Sequence, residues 1–171
     1  MEYYCIMVLT GEEKNFKAQA TTALEQGGFP SSLYFFERKL YTPRRGWFLG
    51  ALFPGYLFLQ TPALTPQCMT ILRKQKGFCR ILRDNQNPTR LTGDALRELR
   101  FLVTNGEILD VSRLQFLAGQ KIKVVSGPLA GYEGHIKCVN RKQKRVTVRS
   151  LLADGGVTFD LKYEEVAATD D

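Results

Sequence analysis

The sequence predicts an α+β protein in two parts, an N-terminal α/β sandwich with helices against a mainly antiparallel sheet and a small C-terminal five-stranded β-barrel. Residues 1–106 alternate strand-like and helix-like segments, the pattern of a layered α+β domain. From residue 117 onward the chain shows only short period-2 segments between Gly-, Asn- and Lys-rich turns, the grammar of a small barrel. A length of 171 residues accommodates one core or two small ones. The expected boundaries are 1–106 for the first domain, 107–116 for a linker and 117–171 for the second.

YYCIMVL (3–9) is a short apolar run rich in aromatic and β-branched residues and reads as a buried strand. Thr10-Gly11-Glu12-Glu13 matches a capping box; Phe16, Ala20, Ala23 and Leu24 follow at helical spacing, and Gly27-Gly28 stops the helix. SLYFFERKLY (32–41) reads as a second strand and LFPGYLFLQ (52–60) as a third, with a joining segment at Thr42–Leu52. Thr65-Pro66 pairs a cap with a first-turn proline and opens a helix through about Lys74, after which Phe78–Leu82 supplies a strand. Thr92 caps a third helix with Leu96, Leu99 and Val103 on one face, closed by Asn105-Gly106. KIKVVSG, EGHIKCVN, RVTVRSLL and VTFDLKYEEV are the strand candidates of the barrel.

Composition narrows the function. The net charge is +7, with 14 Lys/Arg against 10 Asp/Glu in residues 1–110 and 10 against 7 in residues 111–171. Lys121–Arg149 holds eight basic residues and one acid, Glu133, a footprint that polyphosphate partners leave and that a solvated basic face also shows. Cys5, Cys68, Cys79 and Cys138 are scattered without a CxxC, and His135 is the single histidine, so neither a zinc site nor a disulfide frame is expected. The N-terminus does not read as a signal peptide and no apolar run approaches a membrane span. These features predict a reducing, cytoplasmic, monomeric protein with no membrane association, metal or cofactor.

An enzyme is not expected. One histidine, no GxSxG and no clustered carboxylates leave little for acid–base or nucleophilic chemistry. The run GPLAGYEGHI (127–136) spaces Gly127, Gly131 and Gly134 like a phosphate loop, yet it lacks the Gly-Lys-Ser/Thr ending and precedes a strand. Gly127-Pro128 and Gly131 read as turn residues, Gly134 as the site of a bulge, and His135 as a strand residue near a basic surface.

FPGYLFL (53–59) is informative by itself. Pro54 belongs at a strand start or edge, and Gly55 lets another backbone come close. Alternation puts Tyr56 and Phe58 on one face and Leu57 and Leu59 on the other. Both faces are apolar, so the second needs cover, either internal or from a partner groove anchored by aromatic side chains.

FFERKLY, LFPGYLFL, a helix and KGFCRIL together resemble the N-terminal (NGN) domain of the NusG family of transcription elongation factors. GQKIKVVSGPLAGYEGHIKCVNRKQKRVTVRSLL resembles the SH3-like KOW domain that follows it there, so the resemblance covers nearly the whole chain. Tyr3-Tyr4 stands where Trp-Tyr is usual, and Ser150–Gly156 replaces an apolar-Phe-Gly-Arg segment. These are marks of a specialised paralogue resembling LoaP or RfaH. The resemblance implies a transcription elongation and antitermination factor that docks on the clamp helices of RNA polymerase and suppresses pausing and termination. The implied docking patch is Tyr4, Phe53, Pro54, Gly55, Tyr56 and Phe58. Arg44 and Arg45 beside Trp47 and Phe48 read either as a single-strand contact set or as a flexible loop whose aromatics tuck back into the core, and the family places this region near the non-template DNA strand. Lys121, Lys123, His135, Lys137, Arg141, Lys142, Lys144, Arg145 and Arg149 are the candidate RNA contacts, with a structured hairpin in the nascent RNA as the implied ligand. Two alternatives stand beside this. One is a general NusG-type factor coupling polymerase to ribosomal protein S10 or Rho; the other is a ribosomal KOW protein that binds RNA.

Overall fold

The computed structural model describes residues 1–83, 85–153 and 156–167, with Gln120 described by its backbone alone. Asp154 and Gly155 of the Ser150–Gly156 segment, and residues 168–171 of the expected second domain, lie outside the described residues. The chain is a mixed α+β protein of two compact units, each discontinuous in sequence. Met1–Phe36 and Phe53–Val103 form the first, and Glu37–Leu52 with Thr104–Asp171 the second.

In the first unit, β1 (Glu2–Val8) lies between β5 (Tyr56–Thr61) and β6 (Phe78–Ile81), antiparallel to both, and β2 (Ser32–Tyr34) adds to the far edge of β5. Helices α1 (Glu13–Gln26), α2 (Pro66–Arg73) and α3 (Gly93–Asn105) complete it. Phe16, Ala20 and Leu24 of α1 and Leu72 of α2 are fully buried with Ile6, Leu57, Leu59 and Ile81. The cap of α2 is as its sequence suggests: Thr65 Oγ1 accepts from the backbone N–H of Cys68, and Pro66 opens the first turn. α1 departs from its expected capping box. The helix begins at Glu13 after an N-cap residue, Glu12, that makes no side-chain cap bond. Gly11 sits at φ +96°, and the Glu13 carboxylate turns inward and accepts from the N–H groups of Gly11 and Gly55, both at 2.8 Å.

Several sequence expectations are corrected by the second unit. SLYFFERKLY is two strands, broken at Phe35-Phe36: β2 stays in the first unit, while β3 (Glu37–Thr42) belongs to the second. The segment after it is strand β4 (Gly46–Ala51), paired antiparallel to β3 around a tight turn. Gly50 lies opposite Arg38 in this pairing, and a Cβ there would lie 2.9 Å from Leu40 Cδ1, so the end of the Leu40 side chain would have to shift. The expected linker is also structured: β7 (Ile108–Leu109) pairs parallel with β3, and β8 (Ser112–Leu117) enters the C-terminal sheet. A polar composition hid β8, whose Ser112 and Leu114 are nonetheless fully buried.

That sheet has five strands in the order β10–β11–β12–β8–β9, formed by β9 (Lys121–Ser126), β10 (Ile136–Asn140), β11 (Arg145–Arg149), β12 (Thr158–Glu165) and β8. β12 and β8 run parallel and the other neighbours antiparallel. Val146, Val148, Leu161 and Tyr163 fill its inner face together with Leu114 and Leu129. The two edge strands, β9 and β10, supply Ile122 and Val139 to one cavity, so the sheet curls on itself. GPLAGYEGHI forms two 3-10 turns, Pro128–Gly131 and Glu133–His135. Gly127 is at φ +97°, and a Cβ there would come within 2.6 Å of Ser112 Cα, so only glycine lets the chain pass β8. Gly134 has open space around it, and the bulge falls between Ile136 and Cys138. His135 is an exposed turn residue, T-shaped to the Tyr132 ring at 6.3 Å, and lies outside the strand.

Candidate nucleic-acid interface

The expected aromatic docking patch is largely interior. Phe53 is 1% exposed, Phe58 0% and Tyr4 6%. Phe53 meets Phe58 edge-on at 5.7 Å, and Phe58 meets Phe36 at 5.8 Å, favourable geometries for aromatic pairs within a core. Register divides the set further. Tyr4 pairs with Leu59 and Cys5 with Phe58, and directly opposed residues share a face, so Tyr4 lies on the opposite side of the sheet from Phe58. The apolar faces of β5 are therefore covered from within. The Tyr4 hydroxyl donates to Glu2 Oε2 at 2.6 Å, and Arg90 Nη1 donates to Glu2 Oε1 at 2.8 Å. Burial, then this acceptor, push the Tyr4 pKa up to about 12; the same bond, with Arg90, holds Glu2 below its usual value.

Pro54 is exposed and Tyr56 half-buried, the two members of the set that reach solvent. Gly55, at φ +81°, has its N–H on Glu13 and its carbonyl on the N–H of Val8 at 2.8 Å. A Cβ at this position would press on Val8 O at 3.2 Å. The capping-box pattern gives Glu13 only a local role at the start of α1; its bond to Gly55 spans 42 positions and has no local signature.

The β3–β4 hairpin gathers Arg44, Arg45 and Trp47. Arg44 and Arg45 are exposed in the turn, and Trp47 is 56% exposed. The Arg45 guanidinium lies 4.3 Å from the centre of the Phe48 ring, and Trp47 meets its cross-strand partner Tyr41 at 5.4 Å. Trp47, Phe48 and Leu49 line a cavity of about 550 Å³ with Lys39, Val111 and Arg113. Lys39 bridges to Asp110 at 3.2 Å at its edge. Asp110 is held below the usual carboxylate range first by the N–H of Val111 and then by Lys39. Cations beside an exposed indole make a surface that can hold a phosphate and stack a base.

The basic residues of the C-terminal sheet fall into two groups. Lys121, Lys123, His135, Lys137, Arg141, Lys142, Lys144 and Arg149 are exposed. Arg141, Lys142 and Lys144 stand in the β10–β11 turn, where the Asn140 side chain accepts from the N–H of Gln143 at 3.0 Å and Lys162 Nζ donates to the Gln143 carbonyl at 2.6 Å. Arg145 is half-buried and paired across the sheet with Lys162. Burial, followed by the charges of Arg145 and Lys144, lowers the Lys162 pKa, so the turn is a region of concentrated positive potential. Lys162 and Arg38 were not singled out in the sequence. Nothing in their local pattern separates them from other charged strand residues, and both acquire their places through long-range pairing.

Among the described residues no group of His, Cys, Asp and Glu could hold a metal ion, and no helix is long and apolar enough to cross a membrane. A family model described as transcription termination factor nusG matches residues 1–100. The chain is 23% identical to the transcription termination/antitermination protein NusG of Thermus thermophilus over 180 residues, covering 97% of each chain. It is 24% identical to the protein of that name from Xylella fastidiosa over 125 residues, covering 67% of this chain and 66% of the other. Among solved structures, one described as domain interaction in Thermotoga maritima NusG superposes with a TM-score of 0.60 at 17% identity, covering 94% and 93% of the two chains. That likeness is one of fold.

Proposed function

Because the chain belongs to the NusG family of transcription termination and antitermination factors, we propose that it is a specialised antitermination factor that rides on RNA polymerase and reads structured RNA. It resembles LoaP and RfaH in this. The first unit binds the polymerase clamp and disfavours pausing and termination. Pro54 and Tyr56 are its accessible contacts, Phe53 and Phe58 hold that surface from the core, and Tyr4 supports the opposite face of the sheet. Arg44, Arg45 and Trp47 contact the non-template DNA strand. The exposed cations of the C-terminal sheet grip RNA.

The observation that supports this reading best is the β10–β11 turn. It projects Arg141, Lys142 and Lys144 to solvent, with Lys121, Lys123 and Lys137 exposed on the edge strands. Such an array binds a phosphate backbone with counterion release, so its affinity falls steeply with salt. The test is filter binding of the full chain to an RNA hairpin across a salt series. A steep loss with salt, and a shallower slope by about two for Lys142→Ala/Lys144→Ala, is the expected result. Binding that ignores salt, or an unchanged slope, would refute RNA as the ligand. Pull-down of purified polymerase by Tyr56→Ala tests the other half; retention equal to the parent protein would remove Tyr56 from the interface.

A further inference from the structure

The C-terminal sheet contains a second feature that the basic turn does not explain. Phe116, Leu117, Ile122, Val139 and Arg141 line a cavity of about 460 Å³ at the seam where β9 and β10 approach one another. Its floor is apolar and aromatic, and its lip is cationic. The Arg141 guanidinium lies 4.2 Å from the centre of the Phe116 ring and is held by Glu165 at 3.1 Å. Lys121 is the neighbour of Ile122 and the cross-strand partner of Leu117, so the rim carries exposed cations from β9 as well as from the turn.

Tyr163 lies beneath this floor, its ring 5.8 Å from that of Phe116. Its hydroxyl is buried with no hydrogen-bond partner among the described residues. An unsatisfied buried hydroxyl is costly and uncommon. Burial, then the Glu165 carboxylate, raise the pKa of this phenol, and the Arg141 charge opposes them.

Apolar floor, aromatic face, planar cation and basic rim together match the chemistry of one unpaired nucleobase on a phosphate backbone. Bases splayed from RNA loops and bulges stack on aromatic rings and arginine planes, while flanking cations hold the phosphates. Building on the RNA-binding reading, we infer that the cavity at Phe116, Ile122, Val139 and Arg141 receives a single unpaired base of the bound RNA. Arg141 swings from the Phe116 ring to admit it. The turn thus supplies affinity for any RNA, and the cavity supplies preference for RNA with a displaced base.

The full-length chain is titrated with two RNA hairpins, one carrying a single 2-aminopurine bulge and the other fully paired. The parent protein should favour the bulged hairpin by about tenfold, with the 2-aminopurine emission quenched on binding. Val139→Trp, which fills the cavity, should abolish the preference and the quench while leaving affinity for the paired hairpin within about twofold. Leu117→Trp blocks the rim from a position already exposed to solvent, and should act likewise if Val139→Trp fails to fold. Equal affinity of the parent protein for both hairpins would overturn the base pocket while the RNA reading stands, and would leave the cavity to a protein side chain. Binding to neither hairpin would overturn both. A preference that survives both tryptophan variants would place the base elsewhere.

Discussion

Arg38, on β3, donates through Nε to the main-chain carbonyl of Asp160, on β12, at 2.7 Å, across 122 positions of sequence. Its Nη1 donates to the carbonyl of Ala51 on β4. Burial lowers the pKa of this guanidinium, an effect that Asp160 opposes and Arg145 reinforces. One planar fork therefore joins the hairpin to the C-terminal sheet, with Lys162 Nζ 5.9 Å from the Tyr41 ring centre beside it.

Removing that fork strands two carbonyls. Arg38→Ala should destabilise the second unit by about 1–3 kcal/mol and raise amide exchange in β3 and β4. Arg38→Lys should recover less than half of the loss, since an ammonium cannot span both acceptors. Urea unfolding with exchange read by mass spectrometry checks both.

Phe53→Ala should behave as a core mutation. With Phe53 1% exposed and edge-on to Phe58, truncation should cost about 3–5 kcal/mol. Any loss of partner binding should then track the loss of folded protein. Circular dichroism melts of Phe53→Ala beside Tyr56→Ala separate the two cases, because Tyr56 is half-buried and its variant should melt close to the parent.

The Glu13–Gly55 link gives a third stability prediction. Glu13→Ala leaves the N–H groups of Gly11 and Gly55 without their acceptor and should cost about 1–3 kcal/mol. Gly55→Ala adds left-handed backbone strain and presses on Val8 O, so it should also lower the melting temperature. A thermal shift series on the purified variants measures both.

Alkaline pH should weaken the first unit through Tyr4. Its phenol ionises near 10.0 when unperturbed and at about 12 in the folded protein. The folded state thus holds this proton more tightly, so the contribution is complete below pH 10 and disappears as pH rises toward 12. Tyr4→Phe should flatten that part of the stability profile. Urea midpoints between about pH 9 and pH 11.5 provide the comparison, and the variant isolates Tyr4 from Tyr163, whose pKa is also raised.

Trp47 is the sole tryptophan, so its fluorescence reports on the hairpin directly. A single-stranded DNA oligonucleotide should quench it, and duplex DNA of the same sequence should quench it far less. Arg44→Ala/Arg45→Ala should weaken the effect several-fold, in proportion to the phosphate contacts removed.

Local chemistry was readable in the sequence, and long-range pairing was not. Thr65-Pro66 announced α2 because a cap and a first-turn proline act within four residues. WFLGA hid β4, because its glycine and its exposed Trp47 and Leu49 resemble loop composition. Ser112 hid β8 for the same reason, although its hydroxyl is buried and accepts from the N–H of Leu129 at 3.0 Å. The aromatic run at 53–58 was legible as apolar on both faces; only the register of β1 against β5 shows that Tyr4 and Phe58 lie on opposite sides. The turn cations were visible as a charge run, whereas the cavity beneath them is assembled from β8, β9 and β10 and has no contiguous signature.

The second unit owns a hairpin that the ribosome makes long before the rest of it. β3 and β4 are complete by Ala51, yet their partners β7 and β12 begin at Ile108 and Thr158. At ordinary elongation rates the hairpin waits on the order of ten seconds for them. During that interval Trp47 and Leu49 lack Val111 and Arg113, and the Arg38 guanidinium lacks the Asp160 carbonyl. A C-terminal fragment cut at residue 104 inherits the five strands without this early-made piece, and any graft of the sheet onto another protein must carry residues 37–52 with it.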